Sequence, residues 1–355
     1  MEGLRGTAVA LVFLVHYVAL VRPWLAPGAM ALPVADALHA IGNAGVDLFF
    51  VLSGYLIYGS LITRHQPFLR YMRRRCERLY PAFTTVFALY VLLSFVFPAE
   101  SKIPADAWQA SIYLLQNFLL MPGLFPITPL ITVAWSLSYE MFYYLAIPAL
   151  IYVLSLRRWP SVWRVYLFCA AAAMLAAYCA IYGGHIRLIM FIAGILLYEL
   201  LTDRLISAPS GSIGFAAFIL GLLAMLLPVP GPGGYTLRIG LLFVGCFVLC
   251  LNCFSDPRGW LARAFSWTPL RWLGNMSYSY YLLHGLALKA AFLALSAVLP
   301  DTTFGSWFFW IMMPLLFCAT LPPTAALFLA VERPLSLSPP ARNTTLPRTD
   351  HPALP

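Results

Sequence analysis

Charge is scarce in this sequence. Asp, Glu, Lys and Arg supply 10% of its 355 residues and hydrophobic residues supply 62%, where a soluble domain has roughly 25% and 45–50%. The deficit excludes a water-soluble globule. It also excludes reading the net charge of +9 as a nucleic-acid surface, because most of the chain must lie in lipid. Phosphate loops of the G-x-x-x-x-G-K-[ST] type and dinucleotide fingerprints are missing, which argues against nucleotide hydrolysis and hydride transfer. The paired-cysteine pattern of a secreted scaffold is missing too: six of the 7 cysteines lie in apolar runs, and Cys76 sits among arginines. Cys246, Cys250 and Cys253 share a helical face, but no His or carboxylate accompanies them in that run. They read as apolar filler, and no metal site is predicted.

What is present is hydropathy. A spanning helix needs roughly 20 mostly apolar residues, and ten segments qualify: residues 6–22, 45–62, 79–97, 134–153, 165–182, 187–202, 212–228, 237–254, 275–298 and 307–330. With the amino terminus inside, seventeen of the 22 basic residues fall on one side: Arg5, the clusters within 64–78 and 157–164, Arg204, Arg258, Arg263, Arg271, Arg333, Arg342 and Arg348. Arg22, Lys102, Arg187, Arg238 and Lys289 fall outside or towards the outer ends. The positive-inside rule then puts both termini in the cytoplasm, and tryptophans at both ends of the spans mark the interfaces. The predicted fold is an all-α polytopic membrane protein of about ten transmembrane helices. Its membrane domain covers 1–333, and a disordered cytoplasmic tail rich in Pro, Ser and Thr covers 334–355. Residues 7–21 read as the first span rather than a cleaved signal peptide, since a removable segment has no use for His16. In the long outer stretch 98–133, the apolar residues 112–121 read as an interfacial or re-entrant helix.

Ionisable groups at membrane depth are costly and mark functional candidates. Four stand out: His16, Asp47, Glu140 and His284. At ~1.5 Å per residue, His16 lies ~15 Å and His284 ~13 Å from the inner face, Glu140 roughly 9 Å and Asp47 about 3 Å from the outer one. Arg5 and His16 are eleven residues apart, within about 20° of three full helical turns, and so share a face. That places a cation at the cytoplasmic mouth and an imidazole about 16 Å deeper, a layout for an anionic substrate with a reactive end. The alternative is that Arg5 enforces topology and His16 bonds a neighbouring helix. The loop 63–78 gathers Arg70, Arg73, Arg74, Arg75 and Arg78, a cluster suited either to anionic lipid head groups or to a phosphorylated cofactor. Arg75 and Arg78, one turn apart, can face a single phosphate.

These residues sit in longer strings. Glu2-Gly3-Leu4-Arg5-Gly6 with His16, followed by Gly45-Val46-Asp47-Leu48-Phe49-Phe50-Val51-Leu52-Ser53-Gly54-Tyr55-Leu56-Ile57, resembles the opening of the acyltransferase-3 family of integral membrane acyltransferases. The resemblance continues through Arg74-Arg75, Arg78-Leu79-Tyr80-Pro81, Trp135-Ser136-Leu137-Ser138-Tyr139-Glu140, Ser277-Tyr278-Ser279-Tyr280-Tyr281-Leu282-Leu283-His284 and Glu332-Arg333-Pro334. It departs at Met141, where many members have a second acidic residue, and at the amino terminus, which is short.

The resemblance implies transfer of an acyl group, usually acetyl from acetyl-CoA, to a hydroxyl on a glycan, lipid-linked sugar or small molecule. It implies no permanently bound cofactor, with acyl-CoA as co-substrate, and a place in the bacterial inner membrane among its lipids. By the same resemblance His16 is the catalytic base or acyl relay, and Arg5, Arg75 and Arg78 bind the donor. Glu140 and Asp47 are expected to orient the acceptor hydroxyl, and Ser53, Trp135 and His284 to occupy substrate-binding positions. A neutral buried imidazole suits the base role. A different class, a proton-coupled secondary transporter or flippase, also uses ten spans with midplane His and carboxylate groups, but moves an intact solute without consuming CoA.

Overall fold

The computed structural model describes residues 1–203, 205–207, 209–299 and 303–337. Arg204, Arg342 and Arg348 of the topology count, and the predicted tail beyond residue 337, lie outside the described residues. The chain forms α1 (Glu2–Val21), α2 (Ala31–Gly42), α3 (Ala44–Ile62), α4 (Phe68–Val96), α5 (Ala107–Phe118), α6 (Trp135–Val153) and α7 (Ser161–Tyr182). These are followed by α8 (Ile189–Thr202), α9 (Gly211–Ala224), α10 (Gly231–Ser255), α11 (Trp260–Ala264), α12 (Thr268–Asn275), α13 (Ser277–Ser296) and α14 (Ser306–Leu327). A π-helical segment, Phe328–Leu337, continues α14. Among the described residues the only extended pairings are two isolated bridges, Leu25 with Phe304 and Pro122 with Phe125.

A helix stands at each of the ten predicted positions. Six stretches are long and apolar enough to cross a membrane on length and composition: Glu2–Trp24, Ala31–Ile62, Phe68–Val96, Ser161–Tyr182, Gly231–Ser255 and Ser306–Leu337. The protein is therefore an all-α membrane protein. The other four helices miss that criterion for visible reasons. α8 and α9 have 14 residues each, while the first halves of α6 and α13 carry Ser, Tyr, Glu and His. Two differences from the sequence reading concern the opposite end. α2 is an additional helix, abutting α3 at Asn43. In the stretch 98–133 the helix starts earlier than read, because the Asp106 side chain caps it by accepting from Gln109 N at 2.9 Å, and it stops at Phe118.

Small residues set the packing. Gly54 of α3 meets the Phe191 backbone, and Gly194 of α8 meets the Val51 carbonyl, so a side chain at either would collide with main chain. The two helices touch through their backbones, the close approach that small residues allow in lipid. Polar cross-links then fix the neighbours. A bidentate pair joins Arg164 to Glu199 (2.7 and 2.8 Å), with Tyr58 donating to the same carboxylate. Arg187 pairs with Asp47 at 2.9 Å and donates to Tyr235 Oη at 2.7 Å.

Contacts distinguish the two ends of the bundle. At the arginine end, Arg157 donates to the Leu61 carbonyl at 2.7 Å and Arg271 pairs with Glu2 at 2.9 Å, tying α1, α3, α6 and α12. At the other end Arg22 pairs with Asp36, Ala26 N donates to Phe304 O at 2.8 Å, and Lys289 pairs with Glu100 at 2.5 Å. α1 runs from one end to the other, enclosed by α2, α3, α12 and α13.

Candidate active site

Two cavities lie along α1. The first, about 280 Å³, is lined by Arg5, Ser53, Ser60, Arg75, Arg78 and Glu140, with aromatic and aliphatic walls from Phe49, Tyr144, Tyr278 and Tyr281. It is the arginine cavity. The second, about 730 Å³, is lined by His16, Tyr90, Phe97, Glu100, Lys102, Thr132, Val133 and Lys289. It is the lysine cavity. Arg5 and His16 share a helix face as the spacing requires, yet each opens into a different cavity.

The arginine cavity is built from five helices, α1, α3, α4, α6 and α13. α4 presents Arg75 and Arg78 one turn apart, as read from the sequence. Arg75 is fixed: its Nη2 donates to Ser60 Oγ at 2.9 Å, and its guanidinium carbon lies 5.2 Å from the ring centres of both Tyr71 and Tyr144. Tyr144 stands four residues beyond Glu140, one helical turn, and donates to Glu140 Oε1 at 2.5 Å. Arg5 interacts electrostatically with Arg78, Glu140 and Glu332. Glu332 belongs to the π-helical segment, where its Oε2 accepts from Ser279 N at 3.0 Å and Ser279 Oγ at 2.5 Å. Such segments inside helices are frequent at functional sites because they re-aim a side chain. Three guanidiniums against one lining carboxylate leave this cavity positive and well suited to phosphates, which arginine grips in a planar fork.

Between the cavities stands a hydrogen-bonded partition. The Tyr281 hydroxyl lies 2.6 Å from Ser136 Oγ and 3.0 Å from the Val133 carbonyl. Tyr281 and Ser136 face the arginine cavity, and Val133 faces the lysine cavity. Phe49 backs the Tyr281 ring at 6.1 Å between centres.

On the far side of this partition the histidines meet. The His16 and His284 rings are 4.8 Å apart between centres and inclined at 72°. His284 Nδ1 lies 2.9 and 3.0 Å from the Tyr280 and Tyr281 carbonyls. Both are acceptors, so the proton resides on Nδ1, and Nε2 keeps its lone pair. That buried Nε2 has no partner among the described residues.

Of the residues singled out in the sequence, Arg5, Arg75, Arg78, Ser53 and Glu140 come together in one cavity. His16 and His284 come together beside the other. Glu140 lies among the arginines rather than at an outer acceptor mouth, because the arginine cavity reaches up to its turn of α6. Neither cavity is lined by Asp47 or Trp135. Asp47 is fully buried and neutralises Arg187, whose guanidinium also covers the Trp135 ring at 5.8 Å. Both thus help pin α3 and α6 to the turn that precedes α8. The sequence reading omitted Ser136, Tyr144, Tyr281 and Glu332 as site residues, although all but Tyr144 lie in the quoted strings. It also omitted Glu199, whose charge is consumed by Arg164.

Comparison with known proteins places the chain among relatives of named activity. The chain is 27% identical over 282 residues to the peptidoglycan O-acetyltransferase OatA of Listeria monocytogenes, covering 68% of the chain and 44% of that protein. It is 28% identical to the exopolysaccharide production protein ExoZ of Rhizobium meliloti, covering 86% of the chain and 93% of that protein. It is 29% identical to the putative membrane-bound transacylase BcsY of Komagataeibacter xylinus, covering 80% and 71%. The chain thus spans less than half the length of the peptidoglycan O-acetyltransferase it matches. No solved structure matches it. The acyltransferase-3 family model, an acyltransferase domain, matches residues 1–329, and the chain belongs to this family of acyltransferases.

Proposed function

We propose that this membrane acyltransferase moves an acetyl group from cytoplasmic acetyl-CoA to a hydroxyl of a glycan presented on the other face of the bacterial inner membrane. The observation that carries this reading is that α1 lines both cavities, with Arg5 in the arginine-rich one and His16 in the other. The two groups are about 16 Å apart along the axis, so a donor serving both must be long, with its negative charge at one end and its reactive carbonyl at the other. Acyl-CoA has that form. The arginine end then faces the cytoplasm, consistent with ten spans and both termini inside. The acceptor class is taken from relatives named for peptidoglycan and exopolysaccharide.

In this mechanism Arg5, Arg75 and Arg78 hold the donor phosphates, and the acyl end reaches the histidines where Tyr281, Ser136 and Val133 meet. His16 takes the proton of the acceptor hydroxyl as its oxygen attacks the thioester carbonyl carbon. The carbon–oxygen bond forms, the carbon–sulfur bond breaks, and the departing thiolate recovers the proton from His16, restoring the neutral imidazole. His284 packs against the His16 ring and limits its rotation. Ser53 lies along the donor path.

The test uses membrane vesicles containing wild type or an equally abundant His16→Ala variant, radiolabelled acetyl-CoA and a glycan extract. Label incorporation with stoichiometric free thiol is expected only from wild type. Equal signals would remove His16 from the reaction, and movement of an intact solute without thiol release would favour the transporter class instead.

A further inference from the structure

Lysine is nearly absent from this chain. Of its 22 basic residues only Lys102 and Lys289 are lysines, and both line the cavity that contains His16. They come from unrelated elements, Lys289 from α13 and Lys102 from the stretch after α4. We infer that the lysine cavity is an acceptor site for an anionic sugar, one whose carboxylate or phosphate group is held by Lys102 and Lys289 while a nearby hydroxyl faces His16. This rests on the acyltransferase reading of that cavity and adds the chemical class of its acceptor.

Charge balance carries the argument. Lys289 Nζ pairs with Glu100 at 2.5 Å. Lys102 Nζ donates to neutral oxygens only, the Pro129 carbonyl at 2.9 Å and Thr132 Oγ1 at 3.3 Å. An ammonium has three donors, so one remains on Lys102 for a ligand. Among the described lining residues Glu100 is the one carboxylate, and two ammonium groups against it leave an unbalanced positive charge. Lys102 and Lys289 also repel each other: burial first, and Lys289 second, hold the Lys102 pKa below the ordinary lysine value. An anion between them relieves that repulsion. The remaining lining is largely apolar, including Leu93, Leu130 and Leu286, which strengthens the attraction relative to water. The geometry also fits a sugar. Lys289 is five residues beyond His284, about 7.5 Å along α13, so the charged group and the reacting hydroxyl belong to the same or adjoining sugar rings.

The test is equilibrium binding to the full chain in nanodiscs of phosphatidylcholine, using matched sugars: methyl glucoside against methyl glucuronide, and glucose against glucose 1-phosphate. At least one charged member is expected to bind wild type tenfold or more tightly than its neutral twin. Lys102→Gln/Lys289→Gln is expected to shrink that gap below twofold while binding CoA as wild type does, which shows that the fold survives. Lys102→Arg should retain the preference. Equal binding of both neutral and charged members overturns the inference. Retention of phosphatidylglycerol by the lysines with no sugar preference overturns it in favour of a lipid site. Transfer of label from acetyl-CoA is scored separately: a charged preference without transfer keeps the anion site and sinks the acyltransferase reading of the cavity. Transfer without any preference does the reverse.

Discussion

The two cavities both carry positive charge, but through different cations, arginines in one and lysines in the other. In the arginine cavity one guanidinium is locked: Arg75 is pinned to Ser60 and clasped by Tyr71 and Tyr144. In the lysine cavity the ammonium groups sit on flexible stems, one exposed and one partly so. Planar forks suit a ligand whose charged end never changes, and compact point charges tolerate a ligand whose shape varies. A single donor and a variable acceptor are the substrates that contrast fits. The helix common to both, α1, contributes an ionisable group to each side, Arg5 to one and His16 to the other.

The sharpest way to break the comparison is at His16. His16→Ala is expected to lower acetyl transfer by about a thousandfold at equal abundance, the scale of a lost general base, and a loss under threefold in vesicle assays would refute its role. Asp47 belongs to neither cavity, so Asp47→Asn should damage the fold rather than a binding constant. It strands the largely buried Arg187 without its counter-charge, at a cost of about 3–5 kcal/mol. Thermal unfolding and abundance in membranes check this; normal amounts of an inactive protein would return Asp47 to the chemistry.

On the donor side, Arg75→Ala removes charge-assisted bonds worth about 1.5–3 kcal/mol, so the KM for acetyl-CoA should rise about ten- to a hundredfold while the KM for acceptor stays put. Glu140→Gln should likewise act on the donor KM, and a change confined to the acceptor KM would move Glu140 to the other side. The smallest effect is expected from Tyr281→Phe, which keeps the ring but loses the hydroxyl between Ser136 and Val133. Transfer should fall only a few-fold, the order of one neutral hydrogen bond, with a rise in CoA release when no acceptor is present. Unchanged CoA release would show that the hydroxyl does not separate the cavities.

Much of this was legible because lipid leaves the chain few options. The helix positions follow from hydropathy, and the meeting of His16 and His284 follows from depths of ~15 and ~13 Å on two helices, once those helices are adjacent. Depth alone left the setting of Glu140 open. Counting from the outer face along α6 gives its level but not which cavity reaches that level. Asp47 read as a catalytic candidate because its counter-charge, Arg187, lies on a distant helix and pairing across helices leaves no periodic trace. Glu199 escaped attention near the end of a predicted span, although it is buried and bound to Arg164. The lysines read from the sequence as charges towards the outer side, but their convergence on one cavity depends on the path of the chain after α4. α2, with 12 residues, falls short of spanning length, so a search for spans passes over it.

The hydroxyl of Tyr281 stands between the two cavities, held by two hydrogen bonds. An energised membrane stores work as an ion gradient, and an open column of water through a protein would drain it. If acyl transfer proceeds as proposed, a partition one side chain thick lets the acyl group change hands while sodium and protons on either side stay where they are.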